Sequence, residues 1–158
     1  MLPSDADTGF GGPLNIRRTI RLYEHAGIAG CHIEDQVFPK RCGQLKGKDV
    51  VDLQPYLERI RSAVEAKTDP DFMIIARTDA RQAVSFGGED AGHDAFLEGV
   101  RRLKAALEAG ADMAFMESPR TEDECRYLVK ECAPHPVMIN VLPHVSQPRT
   151  GCFYPRVC

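Results

Sequence analysis

The feature that most limits what this chain can become is a repeated rhythm. An amphipathic helix is followed by a short apolar run, and each run ends in a polar or charged residue. Leu14 to Ala26 carries Ile16, Ile20 and Tyr23 at helical spacing, and Gly27 is a stop signal. The apolar run AGCHI then ends in Glu34 and Asp35. Asp52 to Lys67 puts Leu53, Tyr56, Leu57, Ile60 and Val64 on one helical face, and FMIIA follows, ending in Arg77. His93 to Ala109 directs Phe96, Val100, Leu103 and Leu107 inward, and DMAFM follows, ending in Glu117. Thr121 opens a fourth helix, with Glu124 placed for a capping box, and VMI ends in Asn140.

The rhythm includes an internal repeat. EHAGIAGCHIE (Glu24 to Glu34) and LEAGADMAFME (Leu107 to Glu117) share a helix end, Ala-Gly, a short strand and a glutamate, with the same interval from glycine to glutamate. Short apolar strands alternating with helices predict a parallel sheet covered by helices. Parallel sheets carry their chemistry at the carboxyl ends of the strands, in barrels and open sheets alike. Here those ends hold Asp5 and Asp7, Glu34 and Asp35, Arg77, Glu117 and Asn140. Strand ends are exposed and often polar for that reason alone. Acids, an arginine and an amide converging on one mouth are a more specific pattern.

Composition narrows the function classes. The 158 residues suffice for one domain with a core, and 43% hydrophobic with 27% charged residues is a globular balance. A formal net charge of −3 gives no reason to expect nucleic acid or a membrane surface as partner. No apolar run is long enough to span a bilayer, and the start has neither the basic nor the apolar region of a signal peptide. Cysteines stand at 31, 42, 125, 132, 152 and 158 without a CxxC pair, so neither a zinc ribbon nor a disulfide framework is expected. The thiols are read as reduced and the compartment as intracellular, cytoplasmic or mitochondrial; a longer product would have room for a targeting peptide before Met1.

Asp5, Asp7 and Glu34 supply hard carboxylate oxygens, the donor type that suits Mg2+, with Mn2+ as the alternative. DADTG is also an ordinary turn composition. GFGG is weak as a phosphate loop, since no GK[ST] follows. Arg77 can hold a substrate carboxylate in bidentate fashion, or pair internally with Asp79 or Glu117. In HIEDQVFPKRCGQLKGK, Lys40 and Arg41 precede Cys42, and Lys46 and Lys48 follow. Positive neighbours favour a thiolate, and Gly43 and Gly47 let the segment bend and approach a ligand. The bland alternative is a solvated loop with an incidental cysteine. The stronger expectation is a loop that docks on an anionic substrate and brings Cys42 to it.

Taken together, DADTGFGG, HIEDQVFPKRCG with GK at 47–48, ARTDA and FMES resemble the isocitrate lyase and phosphoenolpyruvate mutase superfamily. KRCG is most similar to its 2-methylisocitrate lyase-type branch, and the resemblance covers about Leu2 to His144. It implies an α/β fold, a (β/α)8 TIM barrel, of which about five of the eight strand positions are present. Residues 1–144 are then a partial barrel lyase domain and 145–158 an irregular tail. The resemblance implies Mg2+, a small carboxylic acid substrate, and a homo-oligomer with a swapped terminal helix. It implies Asp5, Asp7 and Glu34 as the metal shell and Cys42 as the loop acid. Arg77 would hold the substrate carboxylate, with Glu117 and Asn140 lining the pocket and Lys40, Arg41, Gly43 and Gln44 contacting substrate. The implied reaction is retro-Claisen cleavage of a 2-methylisocitrate- or isocitrate-like hydroxy acid.

Three departures from the family pattern stand out. Gln44 replaces the histidine usual after the loop glycine, so that position cannot carry a proton. The family's first strand, with its Ser-Gly motif, has no match, nor do the second and most of the third. The VSQPRTGCFYPRVC tail has no apolar periodicity. The chain therefore reads as truncated at both ends. The alternatives are an oxaloacetate-type C–C hydrolase, a phosphonomutase-like relative, or an inactive fragment.

Overall fold

A computed structural model describes residues 3–43 and 45–140; Gln44 and the 145–158 tail lie outside the described residues. The order is β1 (Ser4–Asp5), α1 (Pro13–His25), β2 (Gly30–Glu34), α2 (Leu53–Ala66), β3 (Met73–Thr78), three 3-10 turns between 80 and 90, α3 (His93–Glu108), β4 (Met113–Met116), α4 (Glu122–Cys132) and β5 (Val137–Ile139). The helix limits predicted from periodicity differ from these by one residue at most ends. Pro13 opens α1 because its missing N–H is an orphan at that position anyway.

All five strands are parallel, and they lie side by side in chain order. A doubly wound open sheet reverses its strand order at a switch point. This sheet does not, and right-handed crossovers in a single direction put every helix on one face. The described strands are five consecutive staves of a (β/α)8 barrel wall, with β1 and β5 outermost among them.

Strand alternation separates the two faces. Cys31, Ile33, Ile74, Ala76, Ala114, Met116 and Val137 pack in one core with Ile16 and Ile20 of α1, Tyr56 and Ile60 of α2, Phe96 and Leu103 of α3, and Leu128 of α4. The opposite face carries His32, Glu34, Ile75, Arg77 and Phe115, and register places Glu34 beside Arg77 and Arg77 beside Phe115. Each strand thus has an apolar set for the helices and a polar set for the barrel interior.

The repeat seen in the sequence is structural. α1 and α3 are capped by Ala26 and Ala109, and the next residues, Gly27 and Gly110, have φ of +74° and +105°. This left-handed stop favours glycine and turns the chain into the following strand. The capping box at α4 is half realised. Thr121 Oγ1 accepts from the Glu124 N–H at 3.1 Å. The Glu124 carboxylate instead accepts from the Arg81 guanidinium and the Arg120 N–H, because a charged fork is a stronger partner than the Thr121 N–H. Among the described residues, no helix is long and apolar enough to cross a membrane.

Candidate active site at the strand carboxyl ends

Asp5, Asp7, Glu34, Lys40, Arg77 and Glu117 gather where β1 to β4 end, and Asn140 joins them from the end of β5. Asp5 closes β1, and its carboxylate accepts the Asp7 N–H at 2.7 Å. Asp7 adopts φ +49°, and its carbonyl accepts the Glu34 N–H at 2.9 Å, which joins the β1 loop to the tip of β2. Asp7, Glu34 and Lys40 come together. Lys40 Nζ lies 2.6 Å from Asp7 Oδ1 and 3.7 Å from Glu34 Oε1. Burial opposes the Lys40 charge, but Asp7, Glu34 and Asp5 outweigh it and hold Lys40 above its ordinary range.

Glu34 is fully buried, and neither carboxylate oxygen has a hydrogen bond within the protein. Its ion-pair partners among the described residues are Lys40 and Arg77, whose Nε lies at 3.3 Å, while Asp79 and Asp5 add like charge nearby. Burial pushes Glu34 up to about 7, against the pull of Arg77. A buried carboxylate without donors is costly unless a cation completes its surroundings.

Arg77 is the hub. It bonds Asp79 through Nε (3.0 Å) and Nη2 (3.2 Å), reaches Glu34, lies 3.4 Å from Glu117 Oε2, and stacks over Phe115 at 5.1 Å. Burial alone would lower its pKa, but the surrounding carboxylates, Asp79 foremost, raise it above the usual guanidinium value. The internal pairing anticipated for Arg77 is present with both Asp79 and Glu117. Glu117 is buried and accepts from Asn140 Nδ2 at 2.7 Å.

The Cys42 segment lies on this hub through Gly43. A Cβ at Gly43 would stand 2.5 Å from Arg77 Nη2 and 2.9 Å from Glu117 Cδ, so only glycine allows the backbone so close. Cys42 itself is exposed. Arg41 points along the segment, its Nη1 donating to the Lys46 carbonyl at 3.4 Å, and Lys46 pairs with Glu89. Lys40 therefore faces the carboxylates, whereas Arg41 and Cys42 face solvent.

Sequence reasoning gave His32 no role, and it saw Lys48 only as a loop charge, Asp35 only as a strand-end acid and Asp79 only as a possible partner of Arg77. Lys48 is buried against Asp79. Asp35 accepts from Thr78 Oγ1 (2.6 Å), the Asp79 N–H (2.9 Å) and Arg102 (3.2 Å), and so pins the end of β3 to β2. His32 stands 3.5 Å from Asp5 and edge-on to Phe115. The legible signals were polar residues inside quoted motifs: the lysine of GK, the last acid of ARTDA and the histidine of HIED. A groove of about 390 Å3 between α3 and α4, lined by Leu97, Lys104 and Tyr127 among others, is on the helical exterior and carries none of the strand-end groups.

The donor set fits a hard divalent cation. Asp5, Asp7, Glu34, Asp79 and Glu117 cluster with Lys40, Lys48 and Arg77, so carboxyl groups outnumber these basic side chains by two. Among the described residues, no three His, Cys, Asp or Glu side chains form a ready-made metal cage. Mg2+ does not need one, since it keeps several waters and takes few protein carboxylates.

Residues 2–152 match the family described as phosphoenolpyruvate phosphomutase. A probable 2-methylisocitrate lyase of Corynebacterium glutamicum is 50% identical over 123 residues, which cover 78% of this chain and 37% of that protein. The structure of oxaloacetate acetylhydrolase in complex with 3,3-difluorooxalacetate aligns with a TM-score of 0.79 at 40% identity, covering 93% of this chain and 47% of that one. Phosphonopyruvate hydrolase in complex with oxalate and Mg2+ aligns with a TM-score of 0.67 at 32% identity, covering 87% and 45%. The chain thus spans less than half the length of each of these proteins. Five parallel staves in chain order, a carboxylate-rich mouth at their ends and these matches place the chain in the phosphoenolpyruvate mutase/isocitrate lyase superfamily.

Proposed function

We propose that these residues serve a Mg2+-dependent carbon–carbon lyase acting on a 2-methylisocitrate- or isocitrate-like hydroxy acid. The observation that carries the reading is Glu34: a buried carboxylate close to Asp7, ion-paired to Lys40 and Arg77, whose oxygens have no hydrogen bond among the described residues. Asp5, Asp7 and Glu34 would hold Mg2+, with Mn2+ suited by the same oxygen chemistry, and when bound it supplies Lewis acidity toward the keto acid's oxygens.

The remaining roles belong to the chain. Arg77, held in place by Asp79 and Glu117, offers a fixed guanidinium to a substrate carboxylate. Glu117, fixed by Asn140, sets the far wall. Lys40 and Arg41 add positive charge where a polyanion enters. As the substrate hydroxyl gives its proton to a water acting as base, its carbon becomes the keto carbon and the C–C bond breaks. The bonding pair goes to the carbon beside the departing carboxylate. Cys42 gives its S–H proton to that carbon as general acid. The products are an α-keto acid and a dicarboxylate.

The likeness to oxaloacetate acetylhydrolase favours a C–C hydrolase as the second reading. Product analysis separates the two: pyruvate or glyoxylate from a lyase, oxalate and acetate from a hydrolase. A catalytically inactive chain would give neither.

The first test is thermal unfolding with and without Mg2+ plus oxalate, which mimics a ketoacid enolate. The reading expects a cooperative melt that rises only when both are present. A melt indifferent to the pair sinks it.

A further inference from the structure

We propose that Lys48 is a positioning residue, whose buried ammonium sets where the Cys42 segment sits on Arg77 and Glu117. Lys48 is 1% exposed. Its Nζ donates to the Gly43 carbonyl at 2.5 Å and to Asp79 Oδ1 at 2.9 Å. The same Asp79 oxygen accepts from Arg77 Nη2 at 3.2 Å, and Asp79 Oδ2 accepts from Arg77 Nε. One chain of contacts therefore runs from the residue after Cys42, through Lys48 and Asp79, to the guanidinium beneath.

The geometry fits a spacer more than a stabilising pair. An ammonium withdrawn from water loses its hydration, and an ion pair at such depth yields little net stability. A packed apolar side chain would fill the space as well. What an apolar side chain cannot do is hold a loop carbonyl and a strand-end carboxylate at fixed distances. Gly43 meets Arg77 and Glu117 from one side, where even a Cβ would collide, and Lys48 pulls on its carbonyl from another. The lysine backbone is anchored too, because its carbonyl accepts the Val84 N–H at 2.8 Å. Lys48 thus acts through Gly43 and Asp79, not by touching a substrate. Its consequence for turnover rests on the reading of Cys42 as the loop acid, but its effect on position does not.

The test is limited trypsin digestion of the full chain, read bond by bond by mass spectrometry. Cleavage after Arg41 and Lys46 reports the Cys42 segment, and cleavage after Lys104 and Arg126, on α3 and α4, reports opening of the whole fold. Lys48→Met is expected to speed cleavage after Arg41 and Lys46 by about 10-fold or more, the scale of one charge-assisted hydrogen bond. Cleavage on α3 and α4 stays unchanged, and Lys48→Arg, which keeps charge and donors, restores protection. Gly43→Ala pushes on the same contact from the other side and gives the same local effect if Lys48→Met does not fold. Unchanged cleavage after Lys46 in a folded variant overturns the proposal. So does an equal rise at all four bonds, which would make Lys48 merely structural. Because no turnover is measured, failure here is distinct from failure of the lyase reading.

Discussion

The Lys40 ammonium lies 2.6 Å from Asp7 and 3.7 Å from Glu34, so a side-chain cation stands among the carboxylates proposed to hold a metal. A divalent ion and Lys40 then compete for the same oxygens. Lys40→Met is expected to tighten Mn2+ binding in the absence of substrate by about 10-fold, the factor that ~1.4 kcal/mol of relieved competition produces. Titration calorimetry measures it. Unchanged or weaker binding would remove Asp7 and Glu34 from the metal shell.

Glu34 makes stability depend on pH. Burial holds it at about 7, above its ordinary 4.5, so the folded chain binds this proton more tightly than the unfolded chain does. The stabilisation is complete below the ordinary value and is lost as pH rises through about 7. The lost stabilisation is at most a few kcal/mol. Glu34→Gln cannot lose a proton, so its melting temperature should exceed the wild type's at pH 8, with the gap closing near pH 5. A constant gap across this range would mean that Glu34 titrates like an exposed carboxylate.

The thiols should separate by reactivity. Burial pushes Cys31 up to about 12 and Cys132 up to about 11, whereas Cys42 is exposed. The thiolate is the reactive form, so alkylation of the native chain at pH 8 should modify Cys42 well before Cys31 or Cys132. Peptide mapping reads each site. Equal rates would show that the core is open.

Cys42→Ser should leave the melting temperature nearly unchanged, because the side chain is exposed. Where turnover is detected, kcat should fall about 100-fold or more with loss of the general acid. Full activity in this variant would end the role assigned to Cys42.

Thr121→Ala removes the acceptor for the Glu124 N–H and should cost about 1 kcal/mol. Denaturant unfolding should show a lower midpoint at unchanged slope. No shift would mean that the Arg81–Glu124–Arg120 contacts alone secure this end of α4.

The elements were legible because their causes are local. Ile16 with Ile20, or Phe96 with Leu103, repeats at helical spacing whatever the rest of the chain does. The continuous run before Arg77 is what a strand buried in a parallel sheet looks like. The glycines after α1 and α3 mark stops that only their own dihedrals require. The three 3-10 turns between β3 and α3 were not legible, since each is a single turn with no periodicity to detect.

By itself, then, the sequence determined the helix–strand rhythm, the polar residue at each strand end and the family motifs, all set by neighbours within a few positions. Only the tertiary structure decided the partners. It sets Lys40 against Asp7, Arg77 among Asp79, Glu34 and Glu117, and Lys48 between Gly43 and Asp79. Lys48 and Asp79 are 31 positions apart in the chain. Their meeting depends on strand register and helix packing, because a charge interacts through distance and dielectric, and neither is written in the local order of residues.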